Sequence, residues 1–364
     1  MTRGWRQFLQ TFAATTLMAL LLVATLIALI DPLAISPVRV VSDQILPQTN
    51  RRFIAPAIVR SGRFDGFIVG SSTVHSLDPK RVERVLSEKF ANLSLYASTP
   101  HEQSQLVRLI ARERPDTRTI VWGLDPHWCS GEPTPWYSSE VFPEWLYRPR
   151  GWGYVANTFN WASLELAERK LQQLIRANTA RLRSDGYVRA LPPEGSYDLG
   201  KARRAIYRSS QPPPHIEPEE PTIPIGSPEA GMGLPGVVLL RDVLVEIRDG
   251  VTVVLVLMPR HAFALPVPGT PEAARMRDCK AAIALVAERR GNWVIDGMWR
   301  SPWTVNDNNY WDRSHFRDNL AEAIIDGIGA AVNCGSVASE SSLRLLTKPN
   351  TVEHCPTGKR WERW

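Results

Sequence analysis

A serine hydroxyl is a weak nucleophile at neutral pH. It becomes useful when a base, itself oriented by a carboxylate, lies within hydrogen-bond reach. Two stretches of this chain carry those residue types. Phe67-Ile-Val-Gly-Ser-Ser-Thr-Val-His75 begins as a short apolar run, breaks at Gly70-Ser71-Ser72 and leads to a helix start at Asp78-Pro79. That reads as strand, tight turn, polar tip and helix, and a serine on such a turn is held at a sheet edge where substrate can reach it. The second stretch is Asp312-x-x-His315, before the last predicted helix. Residues three apart at a helix start share a face. Asp312 can therefore accept from one imidazole nitrogen while the other faces Ser72. The chemistry expected is acyl transfer, with Ser72 as nucleophile, His315 as base and Asp312 as orienting partner. The structural alternative makes Asp312 a helix cap and His315 a partly buried ring.

Periodicity supplies the elements that must position these residues. Strands are predicted over 66–70, 92–96, 119–123, 252–258 and 293–296, and 252–258 has the unbroken apolar run of a buried parallel strand. Helices are predicted over 78–90, 101–114, 235–249 and 271–290, and from the end of the Asp312 motif to about 328. Alternating strands and helices imply an α/β fold: a five-stranded, mostly parallel sheet with helices on both faces. Ligands bind such sheets at the carboxyl ends of the strands. Ser72, Ser98, Asp125, His261 and the Asp312–His315 pair each follow one of the predicted strands.

The chain has 364 residues, 44% of them hydrophobic, which is enough for one large domain or two small ones. Its formal charge is +6, but the basic residues are scattered, which argues against a nucleic-acid partner. Residues 12–30 carry no charge. A helix of that length spans roughly 30 Å, the thickness of a bilayer core. The run is long for a signal peptide and no small-x-small cleavage site follows, so a transmembrane anchor is expected. Arg3 and Arg6 precede it, which predicts a cytoplasmic 1–11 segment at the inner membrane and an extracytoplasmic, periplasmic domain. Residues 31–63 read as an irregular approach and 64–330 as the main domain. An insertion over 129–235 is expected to hold a long helix (152–184) and a Pro- and Gly-rich loop (186–235), and 331–364 reads as an irregular tail. An exported domain permits disulfides. Cys129, Cys279, Cys334 and Cys355 allow three pairings, and Cys334 and Cys355 share the tail. No cysteine has metal-ligand spacing and no motif calls for a cofactor.

Gly-Ser-Ser after the first strand and Asp-x-x-His before the last helix resemble the SGNH (GDSL-like) esterase and acyltransferase superfamily. The nearer likeness is to its membrane-anchored extracytoplasmic branches, among them the alginate O-acetylation proteins and the D-alanyl transfer protein of teichoic acid synthesis. Asn92-Leu-Ser-Leu-Tyr-Ala-Ser-Thr-Pro-His-Glu102 is similar to the second-strand block of such proteins, and the likeness covers about residues 64–128 and 252–328. It implies a three-layer α/β/α, flavodoxin-like fold with a Ser72–His315–Asp312 triad and a tight turn allowed by Gly70. Ser71 stands where many relatives have Asp. The family places a Gly after strand two and an Asn after strand three as oxyanion donors. Here those positions are Ala97 or Ser98, and Asp125. A backbone N–H survives the loss of glycine, but an ionised carboxylate cannot donate. One lost donor costs on the order of 10²–10³ in rate. The candidate replacements are Arg260, His261, His75 and backbone N–H groups; His127 and His101 read as surface or supporting residues.

The functional expectation is a membrane-anchored serine esterase or O-acyltransferase, with acetyl the expected group, acting on a cell-envelope or exported polysaccharide. Its expected partners are membrane lipid, a carbohydrate substrate and a membrane acyl-donor protein. Two other readings stay open. One is a non-catalytic scaffold or glycan-binding subunit of an envelope polysaccharide machine, favoured by Asp125 and the insertion. The other is a membrane-tethered lipase, compatible with aromatic loops such as Pro135-Trp-Tyr137.

Overall fold

The computed structural model describes residues 3–35, 41, 46–47, 50–132, 136–149, 157–175, 182–189, 191–208, 216–220, 226–337 and 342–349. Its sheet has the order β2-β1-β3-β4-β5-β6. The strands are β1 Gly66–Val69, β2 Phe90–Asn92, β3 Thr119–Leu124, β4 Thr252–Leu257, β5 Trp293–Asp296 and β6 Arg344–Thr347. The first five are parallel and β6 runs antiparallel along β5. Every residue of β1 and β3 is buried, as expected of apolar runs in a covered parallel sheet. Their side chains alternate between two cores. Phe67, Val69, Trp122 and Leu255 enter one, and Ile68, Val121, Val254 and Ile295 the other. Helices Arg51–Arg60, Pro100–Glu113, Pro235–Glu246 and Pro271–Glu288 supply residues to the first core. Helices Pro79–Leu86 and Asp318–Cys334 supply the second.

Several expectations need correction. The sheet has six strands rather than five, because residues 344–347 of the supposedly irregular tail pair with β5. The second strand is shorter and earlier than 92–96, since the Asn92 side chain accepts the Ser94 N–H and bends the chain. The helix after β1 stops at Leu86 rather than 90, where Ser87 takes a left-handed conformation (φ 57°). Residues 51–60, expected to be irregular, form a helix despite Pro56. A proline inside a helix leaves the carbonyl four residues back unbonded. Here that carbonyl, Arg52 O, accepts the Tyr147 hydroxyl at 2.8 Å. In the insertion, the long helix spans Trp161–Ile175, and residues expected in loops form the helices Glu144–Tyr147, Leu199–Tyr207 and Pro228–Gly231. Residues 152–156 and 176–181 of the predicted helix lie outside the described residues.

The N-terminal helix, Arg3–Ile30, is long and apolar enough to cross a membrane. Most of its side chains are exposed, but Ile27 and Ile30 are buried at its C-terminal end. There it meets helix Trp161–Ile175, whose Lys170 Nζ donates to Asp31 O at 3.0 Å.

Cys129 and Cys279 form a disulfide across 150 residues of sequence. It ties the turn after β3 to helix Pro271–Glu288. Cys334 is also disulfide-bonded, and Cys355 lies outside the described residues. A bond closing so long a loop mainly restricts the unfolded chain, and removing one costs about 2–5 kcal/mol. The Cys129→Ala/Cys279→Ala double variant is therefore expected to unfold at lower denaturant, with a slope no smaller than wild type's because the freed unfolded chain exposes more surface. Wild-type midpoints in the variant would refute this.

Candidate active site

The chain leaves β1 for β2 on one side and then returns past β1 to β3 on the other. Such a switch leaves a crevice beyond the carboxyl ends of the two strands. Val69 pairs with Trp122, so Ser72 and Asp125, each three residues further on, leave the sheet as neighbours. Ser72 opens a 3-10 turn, Ser72–Val74. Fully buried Val74 seats this turn between β1 and β3. A Cβ on Gly70 would lie 2.9 Å from Val74 Cγ1, and a Cβ on Gly123 would lie 2.2 Å from the same atom. Glycines on both strands thus make the notch. Buried Asn92 closes it from β2, with Nδ2 donating to Val74 O (2.8 Å) and Leu77 O (3.0 Å).

His315 reaches Ser72 from a loop rather than from a helix start, because the helix begins only at Asp318. Asp312 shapes that loop. Its Oδ1 accepts the backbone N–H groups of Ser314 (2.7 Å) and His315 (2.9 Å). The turn swings the imidazole back onto the same carboxylate, with His315 Nδ1 2.7 Å from Asp312 Oδ2. The opposite ring nitrogen, Nε2, lies 2.9 Å from Ser72 Oγ. With Nδ1–H donated to a carboxylate, Nε2 carries the lone pair and accepts the serine proton. Burial alone would raise the Asp312 carboxyl. The hydrogen bond and charge of His315, with the two backbone N–H groups, outweigh it and hold the group below its ordinary value.

Of the expected oxyanion donors, Ala97 keeps the left-handed backbone (φ 45°) that a glycine would adopt more easily. The backbone N–H groups of Ser72 and Ala97 bond to no described residue. Ser98 is buried and supportive, 3.5 Å from Gly70 O and accepting Gln103 Nε2 at 3.1 Å. Asp125 is an acceptor. Its Oδ1 takes the His127 N–H at 3.0 Å and lies 2.9 Å from His127 Nδ1. This makes a second His–Asp pair, and its hydrogen bond raises the His127 imidazole above its ordinary value against burial. The His127 side chain is 68% exposed.

Arg260 belongs to the site. Its Nη2 donates to Ser314 Oγ at 2.5 Å. Burial lowers the guanidinium below its ordinary value against the pull of Asp125 and Asp312. His261 does not join it. This fully buried ring meets Asp307 Oδ1 through Nε2 at 3.0 Å and accepts the Phe263 N–H on Nδ1. His75 lies under the turn, edge-on to Tyr96 at 4.4 Å. Burial, then the charges of Arg51 and His315, keep it well below its ordinary value and so neutral. His101 stacks on exposed Trp136 at 4.8 Å. Sequence reasoning missed Asn92 and Gly123. A polar residue and a glycine in otherwise apolar strand runs were the available signals.

No family model matches the chain, and none of the curated proteins matches it.

Two outcomes follow from this geometry. Gly123→Ala must displace Val74 or the strand, at a cost of about 1–3 kcal/mol. Under the acyl-transfer reading proposed below, ester turnover is expected to fall further than melting temperature at temperatures where the variant is still folded; undiminished turnover would show that the notch does not position Ser72. Under the same reading, Asp312→Asn is expected to lower kcat by about 10⁴-fold through loss of the tautomer. A carboxyl held low in the fold stabilises it above the ordinary carboxylate value, about pH 4. That contribution fades as pH falls through the lower folded value. Melting curves should therefore separate wild type from the variant at neutral pH and converge in acid.

Proposed function

We propose that the protein is a serine-dependent esterase or O-acyltransferase of SGNH type, with its helices and sheet forming a three-layer α/β/α domain. The observation that carries this reading is the unbroken chain from Ser72 Oγ through His315 to Asp312 at the sheet's switch point. Ser72 Oγ attacks the acyl carbonyl while its proton passes to His315 Nε2. The carbonyl oxygen gains negative charge opposite the Ser72 and Ala97 N–H groups, with Arg260 as the nearby cation. His315 then protonates the departing alkoxide, leaving an ester on Ser72. A sugar hydroxyl or water gives its proton to His315 and takes the acyl group, and His315 returns that proton to the departing Ser72 Oγ. Asp312 stabilises the imidazolium in both halves.

In this proposal Arg3–Ile30 anchors the domain, Arg3 and Arg6 stay in the cytoplasm and the site works on an envelope carbohydrate. Exposed Trp136, beside the block that carries Ala97, supports a sugar-stacking role. The same aromatic supports the reading as a glycan-binding scaffold, so the experiment must separate binding from chemistry. The full chain is incubated with an activated acetyl ester and digested for mass spectrometry. An acetyl group on the Ser72 peptide is expected, with turnover reduced at least about 10⁴-fold in Ser72→Ala. Absence of the adduct, together with equal turnover in the variant, would overturn the enzyme reading.

A further inference from the structure

A second recess of about 500 Å³ opens between helix Pro271–Glu288, the segment after β5 and strand β6. None of Ser72, Asp312 and His315 lines it. Its volume suits a small ligand. Leu265, Met276, Met298 and Leu346 give it apolar walls.

The recess also holds buried guanidinium N–H groups that find no hydrogen-bond acceptor among the described residues, although Glu219 pairs with Arg300 by charge and Asp296 and Glu219 act electrostatically on Arg344. Lys280 is satisfied: its Nζ donates to both Asp296 oxygens (3.0 and 2.9 Å) and to Met298 O. That pairing occupies the one buried carboxylate in the lining. Arg344, only 5% exposed, stacks 3.5 Å over the Trp299 ring and donates Nη2 to Glu220 O at 2.8 Å. Its Nε and Nη1 are buried without a partner among the described residues. Arg300 Nε is in the same condition, with a Glu219 oxygen at 3.9 Å, beyond hydrogen-bond reach. Buried guanidinium N–H groups ordinarily meet oxyanions, often through two parallel bonds.

We propose that this recess binds an amphiphilic oxyanion. A carboxylate or phosphate head takes the free N–H groups of Arg344 and Arg300, and a short alkyl body lies along Met276, Met298 and Leu346. The two heads share one chemistry, and the probes tell them apart. The site is separate from the Ser72 centre and does not depend on its activity.

The test uses the full chain in lipid nanodiscs, titrated calorimetrically with butyl phosphate, butyrate, inorganic phosphate and butanol. Saturable binding of at least one alkyl anion is expected, with its bare counterparts weaker by about tenfold or more. Ser72→Ala should bind as wild type does. Arg344→Met and Arg300→Met should each weaken binding by about tenfold or more. Absence of binding by both alkyl anions overturns the proposal. So does undiminished binding in both arginine variants, or inorganic phosphate or butanol binding as well as the alkyl anions. If Arg344→Met fails to fold, Arg300→Met decides between these outcomes.

Discussion

Val74 can occupy the crevice between β1 and β3 only because neither strand carries a Cβ at Gly70 and Gly123. The rest of the site depends on that steric allowance. A filled notch would push the Ser72–Val74 turn outward and remove the serine from His315, which comes from 243 residues further along the chain. Bringing such distant groups together costs chain entropy. Here the cost is met by the sheet itself, whose order and register are set by two large cores rather than by the polar groups at its rim.

At the rim, two imidazoles are held by two carboxylates in the same way, each through Nδ1. Their surroundings divide them. His315 finds Ser72 with its second nitrogen, whereas the His127 ring is mostly exposed to solvent. Arg260 lies within electrostatic reach of both carboxylates, Asp125 and Asp312. It lowers the cost of gathering two anions at one crevice, and its bond to Ser314 draws it to the Asp312 side. Asp125 thus adds an acceptor that fixes a second ring, beside the Ser72 and Ala97 backbone N–H groups that bond to no described residue.

The parallel strands were legible because a sheet covered on both faces writes itself as apolar runs, as in Thr252–Leu257. Ser72 was legible because it lies just past such a run, and Asp312 and His315 because of their own D-x-x-H spacing before the last helix. The pattern was less informative where one residue acted against its neighbours. Asn92 falls in an alternating segment, yet it spends its side chain on the Ser72 turn and ends the strand. Residues 51–60 look irregular because of Pro56, and the compensating donor, Tyr147, is 95 residues away. β6 is short and at an edge, so its half-buried residues carry no long run. His261 sits at a strand's carboxyl end like the active residues, and only its partner Asp307 tells its role.

That partner also changes how the insertion should be understood. Asp307 accepts the Tyr207 hydroxyl at 2.6 Å, Arg203 Nε at 2.7 Å and His261 Nε2 at 3.0 Å. Its carbonyl takes the Tyr197 hydroxyl at 2.9 Å. A few residues on, Glu194 holds Arg317 through both Nε and Nη2. Asp307 and Arg317 bracket the loop that carries Asp312 and His315; of their partners in the insertion, Tyr197 also packs edge-on to Trp311 and under Arg317, and Tyr207 packs edge-on to Phe263 and His261. Burial would raise the Asp307 carboxyl, but the hydrogen bonds from Tyr207 and Arg203 and the charge of His261 hold it below its ordinary value, so the knot stays ionised and closed. A loop fixed only at its ends by solvent-facing turns would leave His315 free to drift from Ser72, and a small misplacement of a base costs far more in rate than in stability. The insertion is thus bound to the same loop as the candidate base. A binding role for its surface and a supporting role for the Ser72 site are compatible uses of one segment.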